Sequence, residues 1–493
     1  MIAKIEETRL NISRKTKADH KSRLGQYFTP QSIADFMVSM FPPTSKDCKL
    51  LDAGAGIGSL SSAFIQRWTD GDDFDFSKLE LDTYELDNAL IPHLEESLRS
   101  FTPHKNFKYT IHESDFILET TRRISDPLFS HIEPSYTHVI LNPPYKKIST
   151  NSLHRKAMDL VGVRTVNLYT AFLILSLELC MKDANLVAII PRSFCSGSYY
   201  RPFREYILKH AAIKQIHLFD SRTSAFKSDQ VLQENIIIHL EKNGRQGDVL
   251  VSRSTDERFE DIESSMHCFG EILFENDAEK YFHIPTFGSD TLKLYHQKFK
   301  CTLDEIGVQV STGPVVDFRL REHLRPVRDL NSVPLLYPCH FKRSGLTWPL
   351  PGSKKPNAIH MAPQVEKWLY PSGNYCVVRR LSSKEEKKRI VAAFVSQNAF
   401  PDDKFVGFEN HLNVFHFKKR GLPELFARGL CAFLNSSVVD EFFRCFNGHT
   451  QVNATDLKQL KYPDKEKLIR LGKWASNHPE FSAEELDMEV ASL

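Results

Sequence analysis

The sequence predicts an α/β protein, with a mostly parallel sheet covered by helices on both faces, followed by a second domain of α+β character. Three observations carry this. Strand-like apolar runs alternate with helical ones from Thr29 to about Lys242, the pattern that builds parallel sheets. A glycine-rich turn joins the first of these strands to the helix after it. Beyond about residue 300 the alternation stops, and prolines and short strands become frequent.

The elements follow in order. Residues 1–24 carry Lys4, Arg9, Arg14, Lys15, Lys17, Lys21 and Arg23 with little apolar periodicity, and read as a mobile or weakly helical basic lead-in. From Pro30 a helix places Ile33, Phe36, Met37 and Met40 on one face until Pro42-Pro43 ends it. Lys49–Asp52 reads as a strand, followed by the glycine turn and a helix through Trp68. Leu79–Tyr84 and Phe107–His112 are strands flanking a helix over Asn88–Ser100, and Tyr136–Leu141 is the next strand. An apolar helix, Leu168–Met181, precedes the strands Leu186–Ile190, Ile213–Phe219 and Glu234–Leu240. The catalytic-type domain is therefore expected over 25–245, a connecting region over 246–300 and a second domain over 301–493.

Composition excludes several classes. Of 493 residues, 41% are hydrophobic and 26% charged, an ordinary globular balance. The most apolar helix, Ala171–Met181, is interrupted by Ser176 and Glu178 and is too short to span a bilayer, so no membrane association is expected. Met1–Leu10 is charged and has no apolar core, so a cytoplasmic protein rather than a secreted one is expected. The nine cysteines include no C-x-x-C pair, which argues against a metal site or a disulfide framework. Net charge is +2 overall, but residues 310–475 hold 27 Lys and Arg against 15 Asp and Glu. That local excess suits a polyanion, although an uneven solvated surface would give the same count.

Four motifs lie at the ends of successive strands. In Leu50-Leu51-Asp52-Ala53-Gly54-Ala55-Gly56-Ile57-Gly58 an apolar strand runs into glycines and a helix start, a Rossmann-like turn where backbone can approach a ligand. Gly54, Gly56 and Gly58 alone would equally suit a nicotinamide enzyme. Glu85, in Tyr84-Glu85-Leu86-Asp87, can accept bonds from ribose hydroxyls. Asp115 and Phe116 can take the amine and the ring face of an adenine. Asn142-Pro143-Pro144-Tyr145 follows the fourth strand and suits a planar amine. The amide oxygen of Asn142 and the carbonyl of Pro143 can accept its two N–H bonds, the prolines stiffen the turn, and Tyr145 offers a ring to an unstacked base. The exocyclic amine of adenine fits, as would an RNA base or a protein glutamine amide. A nicotinamide oxidoreductase does not explain this loop. Pro401-Asp402-Asp403 lacks the partners of a fused nuclease.

Residues 22–242 resemble the adenine-specific, amino-methylating DNA methyltransferases of the gamma, TaqI-like arrangement, with Asn142–Tyr145 matching the catalytic loop throughout. The resemblance implies S-adenosylmethionine as cofactor in a Rossmann-like methyltransferase domain. It implies that Tyr27, Thr29 and Pro30, in Gly25-Gln26-Tyr27-Phe28-Thr29-Pro30, wall the methionine end, and that Asp52, Gly54 and Gly56 form the cofactor turn. Glu85 would hold the ribose, and Asp115 with Phe116 the adenine. Phe226 would join Tyr145 in stacking on a flipped target base. The C-terminal stretches Phe408–Asn413 and Gly448–Asn453 resemble the target recognition domains of the PstI and BsuBI group. That implies double-stranded DNA as partner, a monomer, and a companion restriction endonuclease acting on the same sequence, such as the palindrome CTGCAG. Asn410, His449, Gln451 and Asn453 are the candidate base contacts, unless they only cap turns.

Overall fold

Strands of alternating burial build the first half of the chain. In the computed structural model, the described residues are 2–15, 28–44, 47–71, 73–125, 134–220, 234–275, 277–285, 291–342, 345–383, 385–448 and 450–493. The chain divides into two units, Met1–Phe287 and Gly288–Leu493.

In the first unit, β1 (Cys48–Ala53), β2 (Leu79–Tyr84), β3 (Phe107–His112), β4 (Tyr136–Leu141), β5 (Cys180–Pro191), β6 (Ala211–Phe219), β7 (Asn235–Lys242), β8 (Val249–Ser254) and β9 (Glu263–His267) form one sheet, ordered β3-β2-β1-β4-β5-β7-β6-β8-β9. The block β3 to β5 is parallel, and β7 runs antiparallel to both β5 and β6. Side chains alternate between two cores, as the pleat requires. Leu186, Ala188 and Ile190 of β5 join one core, while Val187 and Ile189 join the other. The first core is closed by α5 (Phe116–Ser125), α6 (Leu153–Leu160), α7 (Leu168–Leu179) and α8 (Arg201–His210). The second is closed by α2 (Gln31–Ser39), α3 (Ser59–Asp70) and α4 (Ile91–Arg99). Strand order reverses between β1 and β4, and in open α/β sheets ligands bind at the carboxyl ends beside such a reversal.

One reading of the sequence needs correction. The segment 246–300 is not only a connection, because β8 pairs parallel with β6 and β9 antiparallel with β8, extending the sheet. Of the two states expected for the lead-in, its described part takes the helical one, α1 (Ile2–Lys15), whose Ile5 packs with Phe28, Ile57 and Leu90. Its Arg9 is buried and pairs with Glu6 at 2.7 Å, so a charge-rich face hides one anchored apolar contact.

The second unit is α+β, as expected. Strands β10 (Gln309–Thr312), β13 (Tyr375–Arg379), β14 (Ala392–Val395) and β16 (Leu412–His416) form an antiparallel sheet ordered β10-β16-β13-β14. Between them in sequence, β11 (Ser332–Leu336) pairs antiparallel with β12 (Ala358–His360) and parallel with β15 (Phe405–Phe408). Helices α9 (Thr291–Lys298), α10 (Glu424–Leu434), α11 (Ser437–Phe446), α12 (Ala454–Gln459), α13 (Lys465–Asn477) and α14 (Ala483–Ser492) complete it.

Candidate active site

The carboxyl ends of β1 to β4 surround one cleft, open to solvent, whose apolar walls carry a few convergent polar groups, as small-molecule sites do. At its base, Gly54 and Gly56 adopt φ of 79° and 59°, a region closed to most side chains. The Gly54 amide donates to the Tyr84 carbonyl at 2.8 Å, stitching the turn to the end of β2.

Glu85 lies across this turn. Its Oε2 accepts from the Gly56 amide at 2.8 Å and its Oε1 from the Asp87 amide at 2.7 Å. Burial raises its carboxyl above the usual value, although the amides of Asp87, Gly56 and Leu86 oppose the shift. Asp52 lies behind the turn, fully buried, and its Oδ2 accepts from Ser61 Oγ at 2.6 Å. Burial pushes the Asp52 carboxyl up to about 7; the Ser61 hydrogen bonds oppose this and the charge of Glu85 adds to it.

Asp115 ends the loop after β3. Its Oδ1 accepts from the Leu118 amide at 3.0 Å in the first turn of α5, and its Oδ2 lies 2.7 Å from His154 Nε2. Burial pushes this carboxyl up, but the bond with His154, the Leu118 and Ile117 amides and the charge of His154 outweigh it, and the net shift is downward. Phe116 beside it is buried, edge-on to Tyr84 at 5.0 Å and tilted to Phe172 at 5.1 Å.

Asn142 leaves β4 at the cleft wall. Its Nδ2 donates to Thr29 Oγ1 at 2.9 Å. The Tyr145 hydroxyl is 3.0 Å from Asn142 Oδ1 and 3.1 Å from the Ile189 carbonyl, with one proton to place between them. The Tyr145 ring meets Tyr169 edge-on at 6.4 Å. The loop beyond is pinned by Ile148 N to Val166 O and Leu168 N to Lys146 O, both 2.8 Å.

The cleft thus gathers Gly54, Gly56, Glu85, Asp115, Phe116, Asn142 and Pro144 on one wall system. Thr29 faces Asn142 instead, Pro30 caps α2, and Pro143 is buried. Tyr27, Phe226 and His449 lie outside the described residues. The sequence reading missed Phe28, Phe172 and His154 in the lining. Nothing in spacing marks His154, which meets Asp115 only because α6 packs beside α5.

The donor set fits S-adenosylmethionine. Glu85 and Asp115 bring carboxylate acceptors to the cleft, Phe116 supplies a ring, and Glu85, Asp87 and Asp115 give it the acidic character a cationic ligand needs.

In the second unit, Arg380 joins the two candidate recognition stretches. Its Nη1 donates to the Asn410 carbonyl at 3.2 Å and its Nη2 to Gln451 Oε1 at 3.4 Å. Gln451 is exposed and Asn410 half-buried. Asn453 caps α12 in a reciprocal box, with Asn453 N donating to Asp456 Oδ2 at 3.0 Å.

Comparison with known proteins decides the family. The model of the Eco57I restriction-modification methylase family matches residues 8–226. The type II methyltransferase M.BsuBI of Bacillus subtilis is 46% identical over 493 residues, covering 99% of this chain and 97% of that one. The type II methyltransferase M.PstI of Providencia stuartii is 39% identical, covering 91% and 88%. The chain belongs to the BsuBI and PstI group of type II methyltransferases. Solved structures share the fold of this methyltransferase at low identity. A DrdV–DNA complex aligns over 97% of this chain and 59% of its own, with TM-score 0.52 and 14% identity. The type IIL restriction-modification enzyme MmeI in complex with DNA aligns over 98% and 73%, with TM-score 0.51 and 10% identity. Among the described residues, no helix is long and apolar enough to cross a membrane and no His, Cys, Asp and Glu group could hold a metal ion.

Proposed function

We propose that this methyltransferase moves a methyl group from S-adenosylmethionine to the exocyclic N6 amine of adenine in duplex DNA, as the modification partner of a restriction endonuclease acting on the same sequence. The observation that carries this is the fixed carboxamide of Asn142 at the cleft wall. With its nitrogen donating to Thr29 Oγ1, the amide presents its oxygen as an acceptor, and the Tyr145 hydroxyl stands 3.0 Å from it.

The bound cofactor supplies a methyl group on a sulfonium. The residues do the rest. Glu85 accepts the ribose hydroxyls, Asp115 the adenine amine of the cofactor, and Phe116 packs on its ring. Asn142 Oδ1 and the Pro143 carbonyl accept the two N–H bonds of the target amine, and the lone pair that was delocalised into the ring is turned toward the methyl. The Tyr145 proton can point to the Ile189 carbonyl as well as to Asn142 Oδ1, so the hydroxyl can turn as the amine arrives. Held there, the amine would receive the methyl group that the cofactor supplies and would then lose its surplus proton to water. No strong base is needed, since the nitrogen becomes acidic only once it carries the methyl. The target base must leave the helix to reach this loop, where the Tyr145 ring takes one face.

The unit Gly288–Leu493, with its local basic excess, is the part that reads DNA. Near-full-length identity to type II methyltransferases favours DNA over RNA or a protein amide as substrate. Single-molecule sequencing of DNA from cells expressing the protein tests this. N6-methyladenine in one short palindrome, such as CTGCAG, is expected. Modification of cytosine alone, or none, would overturn it.

A further inference from the structure

We propose that His154 is a positioning residue that aims Asp115 at the adenine amine of the cofactor and thereby sets the preference for an amine over a carbonyl at that position. This rests on the cofactor reading above.

Two donors on different elements fix the plane of the Asp115 carboxylate. The Leu118 amide of α5 holds Oδ1 at 3.0 Å, and His154 of α6 holds Oδ2 at 2.7 Å. The side chains of His154 and Asp115 are 29% and 21% exposed, and both line the cleft beside Phe116. The contact therefore faces the ligand space and is not sealed between helices. A carboxylate so held offers only lone pairs to the cleft. An adenine amine, a donor, is accepted there, whereas the carbonyl of hypoxanthine meets acceptor against acceptor. Among the influences that oppose the upward push of burial on Asp115, the His154 bond ranks first. Without it the carboxyl turns more freely and protonates more readily, and a protonated carboxyl can present a donor to a donor. His154 also follows the Asn142–Tyr145 loop, whose far end enters α6. The same contact thus ties the catalytic loop to the adenine end of the cleft.

Calorimetric binding of S-adenosylhomocysteine and S-inosylhomocysteine to the full chain tests this. For His154→Ala, the adenosyl compound should bind about 10-fold more weakly, with little change for the inosyl compound, so the preference narrows. His154→Gln, which keeps a donor at similar reach, should recover most of it. In an Asp115→Ala background, His154→Ala should add nothing further. If His154→Ala leaves the preference unchanged, or weakens both compounds equally and additively with Asp115→Ala, His154 does not act through Asp115. Should His154→Ala fail to fold, His154→Phe, which fills similar space without a donor, replaces it: a narrowed preference there beside a retained one in His154→Gln supports the role, and the same preference in both contradicts it. A wild-type chain that binds neither compound overturns the cofactor reading itself.

Discussion

The carboxamide nitrogen of Asn142 donates to the hydroxyl oxygen of Thr29 at 2.9 Å, joining the loop after β4 to the start of α2 across 113 positions of sequence. Thr29 is buried, so this bond fixes which way round the amide stands. Thr29→Ala should lower the single-turnover methylation rate by roughly 3- to 10-fold, the worth of one neutral hydrogen bond. Thr29→Ser should restore it, and cofactor affinity should change little in either. Rapid-quench assays with saturating cofactor measure the rate.

Glu85 is held by two backbone amides, so its carboxylate is already aimed when the cofactor arrives. Glu85→Ala should weaken S-adenosylmethionine binding by about 10- to 100-fold, as expected for hydrogen bonds to a charged acceptor. Titration calorimetry reads this directly. Unchanged affinity would remove Glu85 from the ribose site.

Asp52 makes stability depend on pH. Its folded carboxyl titrates near 7, against about 4 in an unfolded chain. Between those values the unfolded state gives up the proton and the folded state keeps it. Wild-type stability should therefore be highest below about pH 4 as far as this group is concerned, fall as pH rises toward 7, and level off above. Urea unfolding at pH 5 and pH 7.5 should show a larger loss for wild type than for Asp52→Asn, by on the order of 1–3 kcal/mol. An equal loss in both would show that Asp52 is ionised in the fold.

Arg380 brings Asn410 and Gln451 together, so the two stretches should act as one reading element. Gln451→Ala and Arg380→Ala should each relax base preference by about 1–3 kcal/mol if they contact base edges, and non-additively because they share a bond. Asn453→Ala should instead lower stability by about 1 kcal/mol, since Asn453 caps α12. Methylation rates on site variants, beside thermal unfolding, separate these outcomes. Affinity for DNA should fall steeply with salt.

The sheet was legible where burial imposed a pattern. Leu79–Tyr84 and Phe107–His112 alternate apolar with polar residues and Tyr136–Leu141 ends in an apolar run, so the pattern gives all three the bounds the structure gives them. Strands β8 and β9 were missed because they lie toward one edge of the sheet, where β9 is largely exposed and its sequence carries no apolar run. The polar motifs at strand ends were legible as a series, since topology alone places them around one cleft. His154 was not, because its partner is 39 positions away and the contact depends on helix packing. For Asn453 the sequence left a base contact and a turn cap open, and Asn453-Ala454-Thr455-Asp456 forms a capping box at the start of α12.

The central claim is that Asn142 directs methyl transfer to the N6 amine of adenine. Purified protein, duplex DNA carrying the palindrome and S-adenosylmethionine with an isotope-labelled methyl group should be incubated, and the DNA digested and resolved by liquid chromatography and mass spectrometry. The account predicts labelled N6-methyldeoxyadenosine from wild type, and a loss of at least about 100-fold in Asn142→Ala with calorimetric cofactor affinity preserved. Label appearing only in methylcytosine, or an Asn142→Ala variant that methylates adenine at near wild-type rate, would contradict it.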